Sequence, residues 1–234
     1  MRPWIRLLLV CFTITTAAHA AVPLRLVADY EVFFNGAPVG EMREVFEQNG
    51  DRYRITSETR ATGVMALIHK KPARAESSGV ITPLGLQPER FEAVRGKKGE
   101  KHETAEFDWS RHSLRLNHDG VTGTLPLRQG TQDRLSAMYQ FLFLTPAARG
   151  SLKFPMTNGR KLDDYSYRTG ADTRLDTRLG SLTVQHLVKQ HRAGEVATEI
   201  WLSTEHHGLP VRMRIVEPDG ERYEQRVTGL NVSP

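Results

Sequence analysis

Apolar and polar residues alternate along most of the chain, in short runs separated by turn residues. Leu24, Leu26, Ala28, Tyr30, Val32 and Phe34 recur at every second position, which puts them on one face of a strand. NGAPVG at Asn35–Gly40 supplies the positive-φ and fixed-φ residues of a hairpin turn, and QNGD at Gln48–Asp51 supplies the next. Tyr53, Ile55, Ser57 and Thr59 then alternate with Arg52, Arg54, Glu58 and Arg60, a strand with one wet face. The pattern returns at Phe107–Trp109, Leu114–Leu116, Val121–Leu127, Tyr165–Tyr167, Leu182–Val188, Thr198–Leu202, Val211–Ile215 and Tyr223–Val227. It predicts roughly ten to twelve strands, mostly sequential antiparallel hairpins.

One segment breaks the period of two. In TQDRLSAMYQFLFLTP, Leu135, Met138, Tyr139 and Leu142 stand at i, i+3, i+4 and i+7, the apolar stripe of a helix from Asp133 to Leu144. Asp133 is the expected N-cap and Pro146 the stop, and Phe141 and Phe143 widen the apolar surface. A shorter helical turn is expected at GVMALIHK, Gly63–Lys70, closed by Pro72. An open twisted sheet of ten or more strands must curl. The predicted fold is therefore mainly β: a single strongly curved antiparallel sheet, an open or half barrel, with one or two short helices packed on its concave face. Leu135, Met138, Tyr139, Leu142 and Phe143 then face the sheet. They either line an apolar ligand cavity or fill the core, since both roles need the same residues.

The first twenty residues follow a different rule. Arg2 and Arg6 lead an apolar stretch from Leu7 to Ala18, and Ala18-His19-Ala20 is a small-x-small cleavage site. This is the layout of a secretory signal peptide cut after Ala20, leaving 21–234 as one β-rich domain without a linker or an internal repeat. The apolar stretch is too short to span a bilayer, and no second run of about 18 apolar residues follows, so no transmembrane segment is expected in the mature chain. Losing Arg2 and Arg6 takes the net charge from +5 to +3, too slight to argue for nucleic acid. Losing Cys11, the single cysteine, excludes a disulfide scaffold, thiol catalysis and zinc–thiolate sites.

Motifs for chemistry are sparse. His206 and His207 are adjacent, but neighbours on an extended chain point to opposite faces, and EHHGLP has the Gly208 and Pro210 of a turn. No H-x-x-x-H, H-E-x-x-H, G-x-S-x-G or Ser-x-x-Lys occurs, so neither a metal site, nor a cofactor, nor an enzyme is expected. Asp163 and Asp164 diverge for the same reason as the histidines. The basic stretches His69–Arg74 and Arg95–Lys101 fit solvated hairpin ends, with anionic lipid head groups as the alternative partner.

Five segments, in order, carry a family likeness: YEVFFNGAPVGEMREVFE, GDRYRITSETRATGVMALI, QDRLSAMYQFLF, RLGSLTVQHLV and TEIWLSTEHHGLPVRMRIVEPDG. They resemble a family of exported proteins of Gram-negative bacteria, the domain of unknown function thirty-one-zero-eight. Members often have Ala-Pro-Asp where this chain has Ser203-Thr204-Glu205, a departure confined to a turn. The resemblance implies export and carries over no catalytic residue. More loosely, Trp201-Leu202, a turn, Leu209-Pro210 and a strand ending at Asp219-Gly220 are similar to the periplasmic lipoprotein-carrier architecture, where a curved sheet wraps helices and holds acyl chains. The expectation is a periplasmic, non-enzymatic protein that binds an apolar or lipidic envelope component between sheet and helix. The alternative is a plugged interaction or assembly module that meets an envelope protein and takes no small-molecule ligand.

Overall fold

The computed structural model describes residues 24–68, 71–96, 101–144 and 151–233. The leader, its cleavage site, Pro146, His69, Lys70 and residues 97–100 of the basic stretches lie outside the described residues. Eight strands make a first arm: β1 (Arg25–Phe34), β2 (Ala37–Asn49), β3 (Arg52–Ala61), β4 (Ala73–Thr82), β5 (Gly85–Arg95), β6 (Lys101–Asp108), β7 (Ser113–His118) and β8 (Val121–Pro126). The two-residue β9 (Gln132–Asp133) leads into helix α2 (Arg134–Gln140) and a 3-10 turn at Phe141–Phe143. Six strands make the second arm: β10 (Ser151–Thr157), β11 (Leu162–Thr177), β12 (Gly180–Lys189), β13 (Ala197–Ser203), β14 (Leu209–Val216) and β15 (Arg222–Ser233). A four-residue helix, α1 (Met65–Ile68), caps the β3–β4 connection.

All fifteen strands join one curved sheet that does not close, with β8 at one end, β9 at the other, and β1 paired to β15 in the middle. The pairing is antiparallel throughout except for β9 with β10. The mainly β, single-sheet architecture agrees with the sequence, but fifteen strands replace the expected ten to twelve. Two of the extra ones, β4 and β5, carry weak patterns. The inward positions of β4 are Ala75, Ser77 and Gly79, which give alternation no apolar signal. Pro88 interrupts β5 beside a bulge between Ser78 and Gly79, the place where a sheet tolerates proline. A Cβ on Gly79 would fall 2.2 Å from the Gln87 carbonyl oxygen, so no other residue fits that crossing.

In β1 and β3 the predicted faces are the buried ones: Leu26, Ala28 and Tyr30, then Tyr53, Ile55 and Ser57. The second arm folds back onto the first instead of meeting β8. Gln132 Nε2 donates to the Leu86 carbonyl at 2.8 Å, holding β9 against β5. After β10, Gly159 lies so close to β6 that a Cβ there would stand 2.8 Å from that of Glu103. Arginine–carboxylate pairs cover the solvent side of the first arm, for example Arg43 Nε–Asp29 Oδ1 at 2.7 Å and Arg54 Nη2–Glu76 Oε2 at 2.7 Å. Exposed pairs of this kind contribute about 0–1 kcal/mol each and mainly keep the surface wet.

Candidate functional site

Helix α2 sits on the concave face and is held at both ends. Its N-cap, Asp133, has φ −90° and ψ 173°, and its Oδ1 accepts from Leu135 N at 2.8 Å and Ser136 N at 2.9 Å. Ser136 Oγ accepts from Asp133 N at 2.9 Å, completing a reciprocal capping box. Asp133 Oδ2 accepts from Ser77 Oγ at 2.6 Å, and Ser77 meets the Tyr53 hydroxyl at 3.2 Å, so β3 and β4 grip the cap. At the other end Gln140 spans the β4–β5 turn, donating to the Leu84 carbonyl at 2.8 Å and accepting from Leu86 N at 2.6 Å.

The five residues expected to face the sheet do so, packed as core. Leu135, Tyr139 and Leu142 are buried, and Met138 and Phe143 pack against the same cluster. The Tyr139 ring stacks on Phe46 at 5.6 Å, and Phe143 meets Phe46 edge-on at 6.1 Å. Phe141 points into the second arm's cluster with Leu152, Tyr167, Leu187, Ile200 and Leu202. The helical segment therefore ties the two arms together. The predicted helix to Leu144 is shorter than expected, ending in the 3-10 turn.

Beneath the helix runs a polar row that the motif search missed. Glu44, Ser57, Ala75, Ala93, Glu103 and His118 are successive cross-strand partners from β2 to β7. Ser57, Ala75 and Ala93 are small and leave room for the helix, with a buried glutamate on either side. Burial pushes the Glu44 carboxyl up to about 7, against hydrogen bonds from Ser57 and Tyr139 and the charge of Arg134. The Tyr139 hydroxyl donates to Glu44 Oε2 at 3.3 Å. Glu103, 1% exposed, accepts from Arg95 Nη2 at 2.6 Å. Arg134, on the first turn of α2, stands over the Phe91 ring at 5.5 Å. Burial lowers its pKa, opposed by the fields of Glu103, Asp133 and Glu44. The sequence does hold a signal for the glutamates: Glu44 is in phase with Met42 and Phe46, and Glu103 with Ala105 and Phe107. Both acids stand on the apolar phase of their strands, and both are buried.

The other sequence candidates stay apart from this row. His206 and His207 lie in the 204–208 turn between β13 and β14, as predicted, and His207 takes φ 55° there. Asp164 pairs with Arg128 at 2.8 Å and Asp163 with Lys161 at 2.6 Å, two separate surface contacts. Among the described residues no group of three or more His, Cys, Asp or Glu is placed to hold a metal ion. None of the described helices is long and apolar enough to cross a membrane. Two clefts, of about 540 Å³ and about 460 Å³, share Glu31, Arg178 and Thr228, and no α2 residue lines either. Arg178, at the tip of the β11–β12 hairpin, donates to Glu31 at 2.9 Å between residues far apart in the chain.

A family model described as a protein of unknown function, DUF3108, matches residues 29–227. No curated protein matches the sequence. Among solved structures, a candidate lipoprotein from Parabacteroides distasonis is similar at 6% identity and a TM-score of 0.38, over 88% of this chain and 94% of its own. A hypothetical protein from Chlamydia trachomatis is similar at 10% identity and a TM-score of 0.35, over 88% of this chain and 90% of its own.

Proposed function

The chain belongs to the DUF3108 family, and we propose that it is a non-enzymatic periplasmic module of the cell envelope whose concave face is plugged by its own helix and which acts by surface contact. The observation that supports this reading is the packing of α2. Leu135 and Leu142 are 6% and 5% exposed, and the Tyr139–Phe46 stack fills the space where an apolar ligand would lie. Binding an apolar envelope molecule between sheet and helix, the reading the sequence put first, would require the helix to leave Asp133's cap, the Gln140 clamp and both apolar clusters. The contact surfaces would be the outer face and the free edge at β8, whose six residues are all exposed and carry no charge.

Native mass spectrometry of protein purified without detergent, followed by solvent extraction, tests the proposal. The expected result is the bare protein mass and no uptake of a fluorescent fatty acid. A stoichiometric lipid adduct would replace the plugged module with a carrier.

A further inference from the structure

We infer that β8 is a homotypic docking edge, at which a second copy of this chain pairs β8 against β8 across a two-fold axis and continues the sheet. The two ends of the sheet are finished differently. At one end Gln132 and Asp133 of β9 are buried, and Gln132 is tied to β5. At the other end every residue of β8 is exposed, Val121 at 74% and Leu125 at 38%. Both stand on the core phase of the sheet. Val121, Gly123 and Leu125 lie opposite His118, Leu116 and Leu114, and those two leucines are buried. Sheet edges are ordinarily blunted by a charge, a bulge or an inward lysine. β8 has no charged residue, and its register with β7 is unbroken from Val121 to Pro126.

The sequence of the edge selects its occupant. Val-Thr-Gly-Thr-Leu, residues 121–125, reads nearly the same in both directions. Antiparallel pairing about Gly123 sets Thr122 against Thr124 of the second copy and Val121 against its Leu125, like chemistry against like. The hydrogen-bond phase agrees. Leu127 N donates to the His112 carbonyl at 2.9 Å, and steps of two along the register assign Leu125, Gly123 and Val121 to β7. The N–H and C=O groups of Thr122 and Thr124 therefore point away from β7, and in the two-fold register they bond each other. Gly123 meets its own copy at a close pair without hydrogen bonds, and nothing lies within 4 Å of where its Cβ would stand. Arg115, beside Thr124, comes into line with Asn117 of the second copy, so like charges do not meet. So short a seam falls below the ~1,200 Å² of a stable complex, which makes the dimer weak and concentration-dependent. A strand from another protein would gain nothing from the palindrome. The inference rests on the surface-contact reading of β8, and not on whether the interior is plugged.

The test is sedimentation velocity of the purified protein over a rising concentration series, from micromolar to millimolar. A reversible monomer–dimer equilibrium is expected. Thr124→Pro should weaken it at least tenfold with little change in melting, because the N–H it removes points away from β7. Thr122→Lys combined with Thr124→Lys sets like charges opposite each other and should abolish the dimer. Mixing that variant with the matching Glu pair should restore association, as a heterodimer. In a chain without Cys11, Gly123→Cys should cross-link to its own copy on mild oxidation, whereas Thr122→Cys, which faces Thr124, should not. A protein that stays monomeric at every concentration would overturn the inference. So would a dimer indifferent to the Lys pair, or equal cross-linking by the two cysteine variants. A lipid adduct in the mass measurement would end the plugged reading and leave this one standing, while a lipid-free, strictly monomeric protein would do the reverse.

Discussion

Two short helices in this molecule are built from much the same residues and have opposite fates. α1 is Met-Ala-Leu-Ile and α2 contains Leu-Ser-Ala-Met-Tyr; the first has no buried residue and the second is largely buried on the concave face. Apolar content alone therefore does not place a helix. Both are too short to persist by intrinsic propensity. What separates them is the set of ties at the ends and the surface below. α2 has a capping box gripped by Ser77, a glutamine clamp on the β4–β5 turn, and a floor of small residues that admits it. α1 follows a glycine turn at a hairpin tip, and none of its residues is buried.

The contrast can be broken most forcefully at Leu142. Leu142→Asp should place an unpaired charge in the core and lower stability by about 3–5 kcal/mol in denaturant unfolding. A wild-type midpoint would mean that the helix does not hold the arms together. The next effect concerns the floor. Glu44 titrates at about 7 when folded, above the ordinary 4.5. Between those values the folded protein keeps a proton that the unfolded chain has released, so stability falls as pH rises through this window. The loss, roughly 3 kcal/mol from the shift, is absent below pH 4.5 and complete above about 7. Glu44→Gln should remove it, so that the variant gains on wild type as pH rises from about 4 to 8. Parallel curves would put the ionised Glu44 in a polar setting. Asp133→Ala should be the mildest of the three, lowering stability by about 2 kcal/mol as the helix amides and Ser77 lose their acceptor. If hydrogen exchange in α2 were unaffected, the cap would not be what distinguishes it from α1.

Much of this was legible in the sequence where alternation was strong. The first and third strands, the N-cap at Asp133, the stripe on α2 and the histidine turn all follow from local residue types. β4 was hidden because Ala75, Ser77 and Gly79 face inward, chosen small to admit the helix and so without apolar contrast. β9 is two residues long and defined by its partner alone. The polar row was half visible, through the phase of Glu44 and Glu103, while Arg134 resembles any solvent-facing residue of a first helical turn. Its half-buried place over Phe91 of β5 and beside the charge of Glu103 on β6 is one that no local pattern brings to it. Pairing of β1 with β15 is likewise a property of the complete chain.

That central pairing also orders assembly in time. Each arm is a run of neighbouring hairpins that can form as the chain appears, but the second edge of β1 stays bare until residues 222–233 arrive. The seam joins the first described strand to the last, so among the described pairings it carries the largest loop-closure cost and closes late. A truncation that removes β15 would leave two long bare edges at the centre of the sheet, the geometry that favours aggregation. A chain that emerges end-first cannot lock this sheet until residues 222–233 are available.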